Sequence, residues 1–338
     1  MPQPYSGQVH IDVALTNISV AYLQSANDYI APKVFPVIPV QKQSNKYFIY
    51  NQGDFFRDVA TLRGPGSESS GGGYNLTTGS YYCDVWAHHQ DVDPQIREQS
   101  DVPLDADRDA TLWVTQVLAI RREVQWASKF FTTSTWTGST TGGDITPTTK
   151  WDAASSTPIE DIQTQSFKIK QMTGKWPNKL VLGTNAYKGL ANNDEFLQRF
   201  KYTTAGSVIT PGLIGSVIAP PDAPQAADGG GGFEVLVASA VYNTAHEGAT
   251  DSFSFVATNT DALLCYSEPN PGIMRPSAGY TFVWTPIGGY EARIHQIPMP
   301  ELGIGTDGNP TMRVEGQITM DAHVVAPTLG AYFSAATS

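Results

Sequence analysis

The sequence predicts an α+β chain in which one long helix stands between strand-rich segments. Three observations carry this reading. Two aromatic stretches that alternate as strands do, "KYFIYNQGDFFRDV" and "LTTGSYYCDVWAHHQDV", flank a polar tip, "TLRGPGSESSGGGYN", at 61–75. An acidic segment after them opens an apolar stripe of helical period. The C-terminal part consists of β-branched runs broken by Gly and Pro.

The chain has 338 residues and 36.5 kDa, enough for one large domain or two ordinary ones. Apolar residues make up 41%, which permits a real core. The charged fraction is 16%, well under the roughly 25% usual for soluble proteins. So little charge beside so many aromatics implies surface meant for contact, with other protein or with a glycan. The net charge of −11 excludes nucleic-acid binding by bulk electrostatics, which needs clustered Lys and Arg. The densest basic stretch, "IRRE" at 120–123, reads as a helix face or a local ion pair. Two cysteines, Cys83 and Cys265, make no disulfide framework. "MPQPYSGQVHIDV" has neither the basic nor the apolar region of a signal peptide, so folding in a reducing cytosol is expected. No apolar run approaches membrane-spanning length, and no membrane is expected as a partner.

The elements follow in order. "NISVAYLQSANDYIA" is compatible with a short helix. "KVFPVIPV" at 33–40 is β-branched and punctuated by proline, which suits an edge strand or an extended arm. Tyr47, Phe48, Ile49 and Tyr50 form the outgoing strand of a hairpin. On the return, Tyr81, Cys83, Val85 and Ala87 alternate with Tyr82, Asp84, Trp86 and His88. The first set is expected on the apolar face, with Asp84 and His88 on the wetter one. Asp101, Asp105, Asp107 and Asp109 then place carboxylates at the positive end of the helix. Trp113, Val117, Ile120, Val124, Ala127 and Phe131 recur at spacings of 4, 3, 4, 3 and 4, one expected buried stripe.

The Thr- and Gly-rich segment 132–157 reads as a loop or irregular strands. From Pro158, helix and strand alternate. "PIEDIQTQSFKIKQMTG" has proline and acids in its first turn, lysines before Gly174, and a stripe at Ile159, Ile162, Ser166, Ile169 and Met172. "NKLVLG" is a short buried strand, "NAYKGLANNDEFLQRF" one or two helices, and "SVITPGLIGSVIAP" another. "APPDAPQAADGGGG" is a flexible loop. "FEVLVASAVYN" and "DALLCYSEP" read as strands. The last long strands are joined by the tip "MPELGIGTDGNP".

No catalytic constellation emerges, and an enzyme is not expected. "GIGTDG" matches a dinucleotide-binding pattern, but Asn309-Pro310 follows where a helix would have to start, so it reads as a hairpin tip. His246-Glu247 lacks the second histidine of a zinc motif. His88 and His89 are adjacent on a strand and point to opposite faces. The two cysteines have no metal-ligand spacing. Carboxylates are plentiful, yet no pair stands out for sugar hydrolysis. No cofactor or metal is expected.

Four stretches in this order resemble the major capsid proteins of tailed bacteriophages, the family with the Hong Kong 97-type fold. They are "DYIAPKVFPVIPVQKQSNKYFIYNQGDFFR", the acidic start and "RREVQWASKFF" end of the long helix, "TGKWPNKLVLGTNAYKGLANNDEFLQRFKYT", and "ALLCYSEPNPGIMRPSAGYTFVW" with "GYEARIHQIPMPELG" after it. The resemblance implies an N-terminal arm at 1–30, a peripheral-domain strand at 31–41 and an extended loop at 42–90. It further implies a peripheral domain at 91–165 with a spine helix of about 105–131, an axial domain at 166–275, and return strands of the peripheral domain at 276–338.

Roles come with the resemblance. Tyr47, Tyr50, Phe55, Phe56, Arg57, Arg63, Tyr74, Tyr81 and Trp86 are implied contacts of the loop with a neighbouring subunit. Trp113, Val117, Ile120, Val124 and Phe131 are implied spine packing. Glu301, Asp307 and Asn309 are implied in a loop near the threefold axes. The implied partners are copies of the chain in hexamers and pentamers, a separate scaffold protein, a portal, a decoration or cement protein, and enclosed double-stranded DNA bound without sequence specificity. An encapsulin-like compartment in the same fold is one alternative. A β-rich glycan-binding protein or hydrolase is a distant one.

Overall fold

Two sheets organise the chain, each assembled from strands far apart in sequence. The computed structural model describes residues 23–100, 104–200, 209–220, 232–299 and 310–338. In chain order its elements are α1 (Ala31–Val34), β1 (Val37–Val40), β2 (Ser44–Tyr50), α2 (Gln52–Phe55), β3 (Leu76–Tyr82), β4 (Asp84–Val92), α3 (Pro94–Gln99), α4 (Ala106–Phe130), α5 (Pro158–Thr173), β5 (Lys179–Gly183), α6 (Thr184–Ala191), α7 (Asp194–Phe200) and α8 (Pro211–Ile218). They continue with β6 (Glu234–Ala238), β7 (Val241–Asn243), β8 (Phe253–Phe255), β9 (Ala262–Cys265), β10 (Gly279–Trp284), β11 (Arg293–Met299), β12 (Thr311–Val324) and β13 (Gly330–Phe333). The long helix, the α5 segment and the expected strands in the described residues form as read, whereas residues 23–30 of the expected short helix form a turn and Ala31–Val34 is helical although 33–40 is expected to be extended. "NAYKGLANNDEFLQRF" forms two helices.

The first sheet is ordered β1-β10-β12-β11, with β4 also on β12. β12 is its axis. It pairs with β11 along Thr311–Gln317, with β4 along Met312–Met320 and with β10 along Asp321–Val324, all antiparallel. β1 lies parallel to β10 at the edge, where the missing N–H of Pro39 costs no ladder bond. The second sheet is ordered β13-β9-β5-β6. Its alternation feeds two cores: Val181, Leu263, Cys265 and Tyr332 enter one, and Leu180, Leu182, Ala262, Leu264, Ala331 and Phe333 the other. With both faces covered, these strands read as continuous apolar runs. The irregular segment 132–157 gives each core one fully buried tryptophan, Trp136 and Trp151.

α4 joins the two halves. Asp105 caps it by accepting from the N–H groups of Asp107 and Arg108. Its N-terminal half lies on β12 at Gly316, where an added Cβ would come within 2.6 Å of Val114 and Leu118. Its C-terminal half sends Trp126, Ala127 and Phe130 into the core with α1. Within the "IRRE" segment, Arg122 and Glu123 are buried between these contacts. Arg122 pairs with Glu291 at 2.8 Å and lies over the Tyr290 ring. Glu123 accepts from the N–H groups of Ile30 and Ala31 at 3.2 and 3.0 Å, supplying acceptors for donors that would be orphaned at the start of α1. Burial pushes the Glu123 carboxyl up to about 7, against the pull of those two N–H groups and of Arg122.

Two sequence expectations are corrected. The deep stripe of α4 is Ala110, Val114, Leu118, Trp126, Ala127 and Phe130. Val117, Ile120 and Val124 are half-buried on its flank, and Trp113 is 41% exposed, its ring tilted against His88 with centroids 4.7 Å apart. Phe131 is buried as expected. The helix is apolar on two adjacent strips, and Gly316 of β12 lies against Val114 and Leu118 of the deeper one. The returning strand also changes partner at Cys83: β3 pairs with β2, but β4 pairs with β12. This break resets the alternation. Tyr81 and Cys83 are buried, whereas Val85 and Ala87 are exposed and Trp86 and His88 are half-covered.

Val114→Asp puts an unpaired carboxylate against Gly316 and is expected to cost several kcal/mol, leaving little soluble protein. Trp113→Ser, at the rim, is expected to stay soluble with a melting shift of a few degrees; thermal melts and soluble yield compare the two.

A carboxyl with a raised folded pKa binds protons better folded than unfolded. Its stabilisation is therefore complete below the unfolded value of about 4.3 and is lost as pH rises through about 7. Glu123→Gln is expected to flatten the fall in melting temperature between about pH 5 and pH 8, as read by calorimetry across that range.

Candidate functional site

Among the described residues, no group of three His, Cys, Asp or Glu side chains is placed to hold a metal ion, and no helix is long and apolar enough to cross a membrane. Cys83 and Cys265 are buried free thiols, and burial pushes both up to about 12, far from nucleophilic character. What the molecule concentrates instead is exposed apolar surface on a projecting ribbon.

The ribbon is β2 and β3, paired antiparallel from Ser44 opposite Tyr82 to Tyr50 opposite Leu76. Its base is anchored on the first sheet. Tyr81 and Tyr47 stack on Phe282 with ring centroids 4.5 and 5.5 Å away. The Tyr82 N–H donates to Asp321 at 2.8 Å, and Asp321 stands 3.3 Å from His323. The Cys83 N–H donates to the Gln43 carbonyl at 2.9 Å.

The far end is a closed neck. Asn51 caps α2. The Asp54 side chain, only 4% exposed, accepts from the Asn75 N–H at 2.9 Å and from the Asn51 side-chain amide at 3.2 Å, with Arg57 at 3.5 Å. Around this knot the rings of Tyr50, Phe55 and Tyr74 lie 5.5 to 6.0 Å apart. Beyond it the chain turns on itself: the Ser67 N–H and hydroxyl both donate to the Gly64 carbonyl, and Arg63 Nε donates to the Ser67 carbonyl. Phe48, Phe56 and Val59 are each more than 60% exposed, and Leu62 is fully so. A ribbon of two strands has no third layer of its own to cover such groups.

The expected contact residues divide. Phe55, Phe56 and Tyr74 are exposed as a contact surface requires, and Tyr50 is half-buried in their ring cluster. Tyr47 and Tyr81 are spent inside the subunit on Phe282. Trp86 is not on the ribbon at all; it lies on β4 under the Arg121 guanidinium, 3.7 Å from its ring centroid. Arg57 and Arg63 bind within their own loop. Glu301, Asp307 and Asn309, and most of the arm at 1–30, lie outside the described residues. Sequence reasoning missed Phe48, Val59 and Leu62. The alternation in "KYFIY" carries the signal for Phe48, since it must face away from Tyr47. Further exposed apolar groups are Phe253 on β8, Ile273 and Phe167.

No family model matches the chain. A protein named major capsid protein from Burkholderia phage BcepMu is 23% identical over 206 residues, which cover 60% of this chain and 64% of that protein's length. A solved phage-related protein from Bordetella bronchiseptica RB50 superposes with a TM-score of 0.65 at 21% identity, covering 93% of each chain. The mature capsid of bacteriophage PhiM1 gives a TM-score of 0.59 at 10% identity, covering 97% of this chain and 92% of that one. The SrpI encapsulin of Synechococcus elongatus PCC 7942 gives 0.52 at 13% identity over 97% of each chain. The fold is the Hong Kong 97-type capsid fold.

Gly64–Gly73 makes bonds only within its own loop. Replacing it by a two-residue turn is expected to change folding stability by no more than about 0.5 kcal/mol, measured by denaturant titration. Asp54→Ala opens the neck, and limited proteolysis is expected to cut between 56 and 74 at least several times faster than in the unaltered chain.

Proposed function

We propose that this chain is the major capsid protein of a tailed double-stranded DNA phage, a building block that assembles into the hexamers and pentamers of a closed icosahedral shell. The observation that carries the reading is the ribbon: a rigid neck presents aromatic and aliphatic groups that the subunit cannot cover itself, so a second copy is the natural third layer. The sequence relative named a major capsid protein supports it. The protein would be made and assembled in the host cytoplasm and reside in the virion.

In this reading three of the limits expected from sequence move: β4 (Asp84–Val92) goes with the first sheet, the α5 unit starts at Pro158, and β13 (Gly330–Phe333) goes with the second sheet. The first sheet with α4 serves as the peripheral domain, and the second sheet with α5 to α8 serves as the axial domain. Residues 42–83 serve as the extended loop, since β4 from Asp84 onward pairs with β12, and 1–30 as the arm. The role is structural rather than enzymatic. A net charge of −11 suits a wall that encloses DNA without gripping it. A scaffold, a portal and a decoration or cement protein would be separate chains.

Negative-stain microscopy of the purified protein is expected to show closed shells tens of nanometres wide. A stable monomer by sedimentation at high concentration and physiological salt counts against the reading and favours a glycan-binding module. Shells filled with protein rather than DNA assign the same fold to a cargo compartment.

Some shells of this fold are welded by a bond between a loop lysine and an asparagine near the threefold tip. Here no lysine occurs between Gly53 and Gln90, and Lys42 and Lys46 sit at the ribbon base. Arginine stays protonated near neutral pH and cannot act as the nucleophile. Boiling mature particles in denaturing detergent is expected to release one band near 36.5 kDa; a ladder that survives reductant contradicts a non-covalent shell.

A further inference from the structure

The neck of the ribbon touches its own subunit a second time, at the C-terminal end of α5. The side-chain amide of Gln52 donates to the Met172 carbonyl, and the Phe56 ring lies against Gly174. Both contacts are local to one helix end. The last carbonyls of a helix have no partner within it. In α5 the Gly174 N–H takes the Lys170 carbonyl at 2.9 Å and the Thr173 hydroxyl takes the Ile169 carbonyl at 2.6 Å. Gln52 takes the Met172 carbonyl and extends that set.

Gly174 holds a left-handed cap with φ of 72°, and a Cβ added there would stand 3.4 Å from the Phe56 ring. The bare cap thus receives one edge of the ring, whose remainder stays exposed. Gln52 opens α2 and Phe56 follows its last residue, and the Asp54 knot ties this turn to the neck, so the two contacts dock as one piece. At its other end the ribbon is fixed to the first sheet through Phe282 and Asp321. Two seven-residue strands separate the ends, a span of about 20 Å at roughly 3.3 Å per residue.

We propose that β2–β3 is an internal brace as well as a carrier of exposed groups: its neck docks in cis on the α5 cap and holds the α5 unit in a set orientation to the β10–β12 sheet before any neighbour is engaged. Phe55, Tyr74 and Leu62 stay exposed in this docked state, so the brace presents the outer loop rather than hiding it.

The test places p-benzoylphenylalanine at Phe56 and irradiates the purified protein as dilute subunits. The expected product is a cross-link within one chain, at monomer mass, joining the loop to the peptide around 172–176. The same peptide linked in a dimer-sized adduct, or no link to that peptide, overturns docking in cis. Should the photoreactive variant fold poorly, hydrogen exchange on Gln52→Ala gives an independent reading. Amides of α2 and of 173–176 are expected to lose protection at least tenfold while the ribbon base keeps its own, and unchanged protection overturns the brace. A third arm rests on the shell reading: Gln52→Ala with Phe56→Ala is expected to give misshapen shells or open sheets under microscopy. Regular shells from that variant overturn the orienting role, whereas absence of shells from the unaltered chain tells against the shell reading and leaves the cross-link result standing.

Discussion

β12 is the strand on which the first half of the chain depends, and its demands explain features that look unrelated. It takes three antiparallel partners along its length and receives α4 on one face. A helix can approach a strand that closely only where a side chain is missing, and Gly316 supplies that gap. Arg313 and Asp91 sit directly opposite each other on β12 and β4 and form a two-pronged ion pair at 2.8 and 3.0 Å, which holds the Asp91 carboxyl below the usual carboxylate range. At the far end Asp321 takes a backbone N–H from the ribbon. One strand therefore sets the seat of the helix, the course of β4 and the footing of the projecting loop.

A low charged fraction gives each charge inside the molecule a definite task. Glu123 closes the start of α1, Arg122 reaches Glu291, and Asp54 ties the neck of the loop. Buried carboxylates cost heavily unless their oxygens are satisfied, and Asp54 and Glu123 both accept backbone N–H groups. With charge committed to these joints, the outer loop keeps aromatic and aliphatic groups in water. That is a poor arrangement for a solitary protein and a workable one for a subunit that meets copies of itself.

Much was legible in the sequence because local rules sufficed. The stripe of α5 at Ile159, Ile162, Ser166 and Ile169 is buried as its spacing requires, with Met172 half-buried at its end, and Gly174 ends that helix as its conformational freedom allows. The edge position of β1 followed from Pro39, and the polar tip between two aromatic strands followed from its own composition. The candidate contact surface was partly legible: Phe55, Phe56 and Tyr74 are exposed, but Tyr47, Tyr81 and Trp86 are consumed within the subunit.

The sequence by itself determined the long helix, the α5 segment with its Gly174 end, and the aromatic strands that flank a polar tip. Tertiary structure decided which of two neighbouring strips of α4 faces inward, since a period near 3.6 permits either and only the glycine of β12 selects one. It decided that the returning strand changes partner at Cys83, because an alternating pattern states two faces without naming the neighbour. It also decided what Glu123 and Gln52 bind, at sequence separations of 92 and 120 residues. Contacts of that range arise from how the elements are stacked, and no local spacing encodes them.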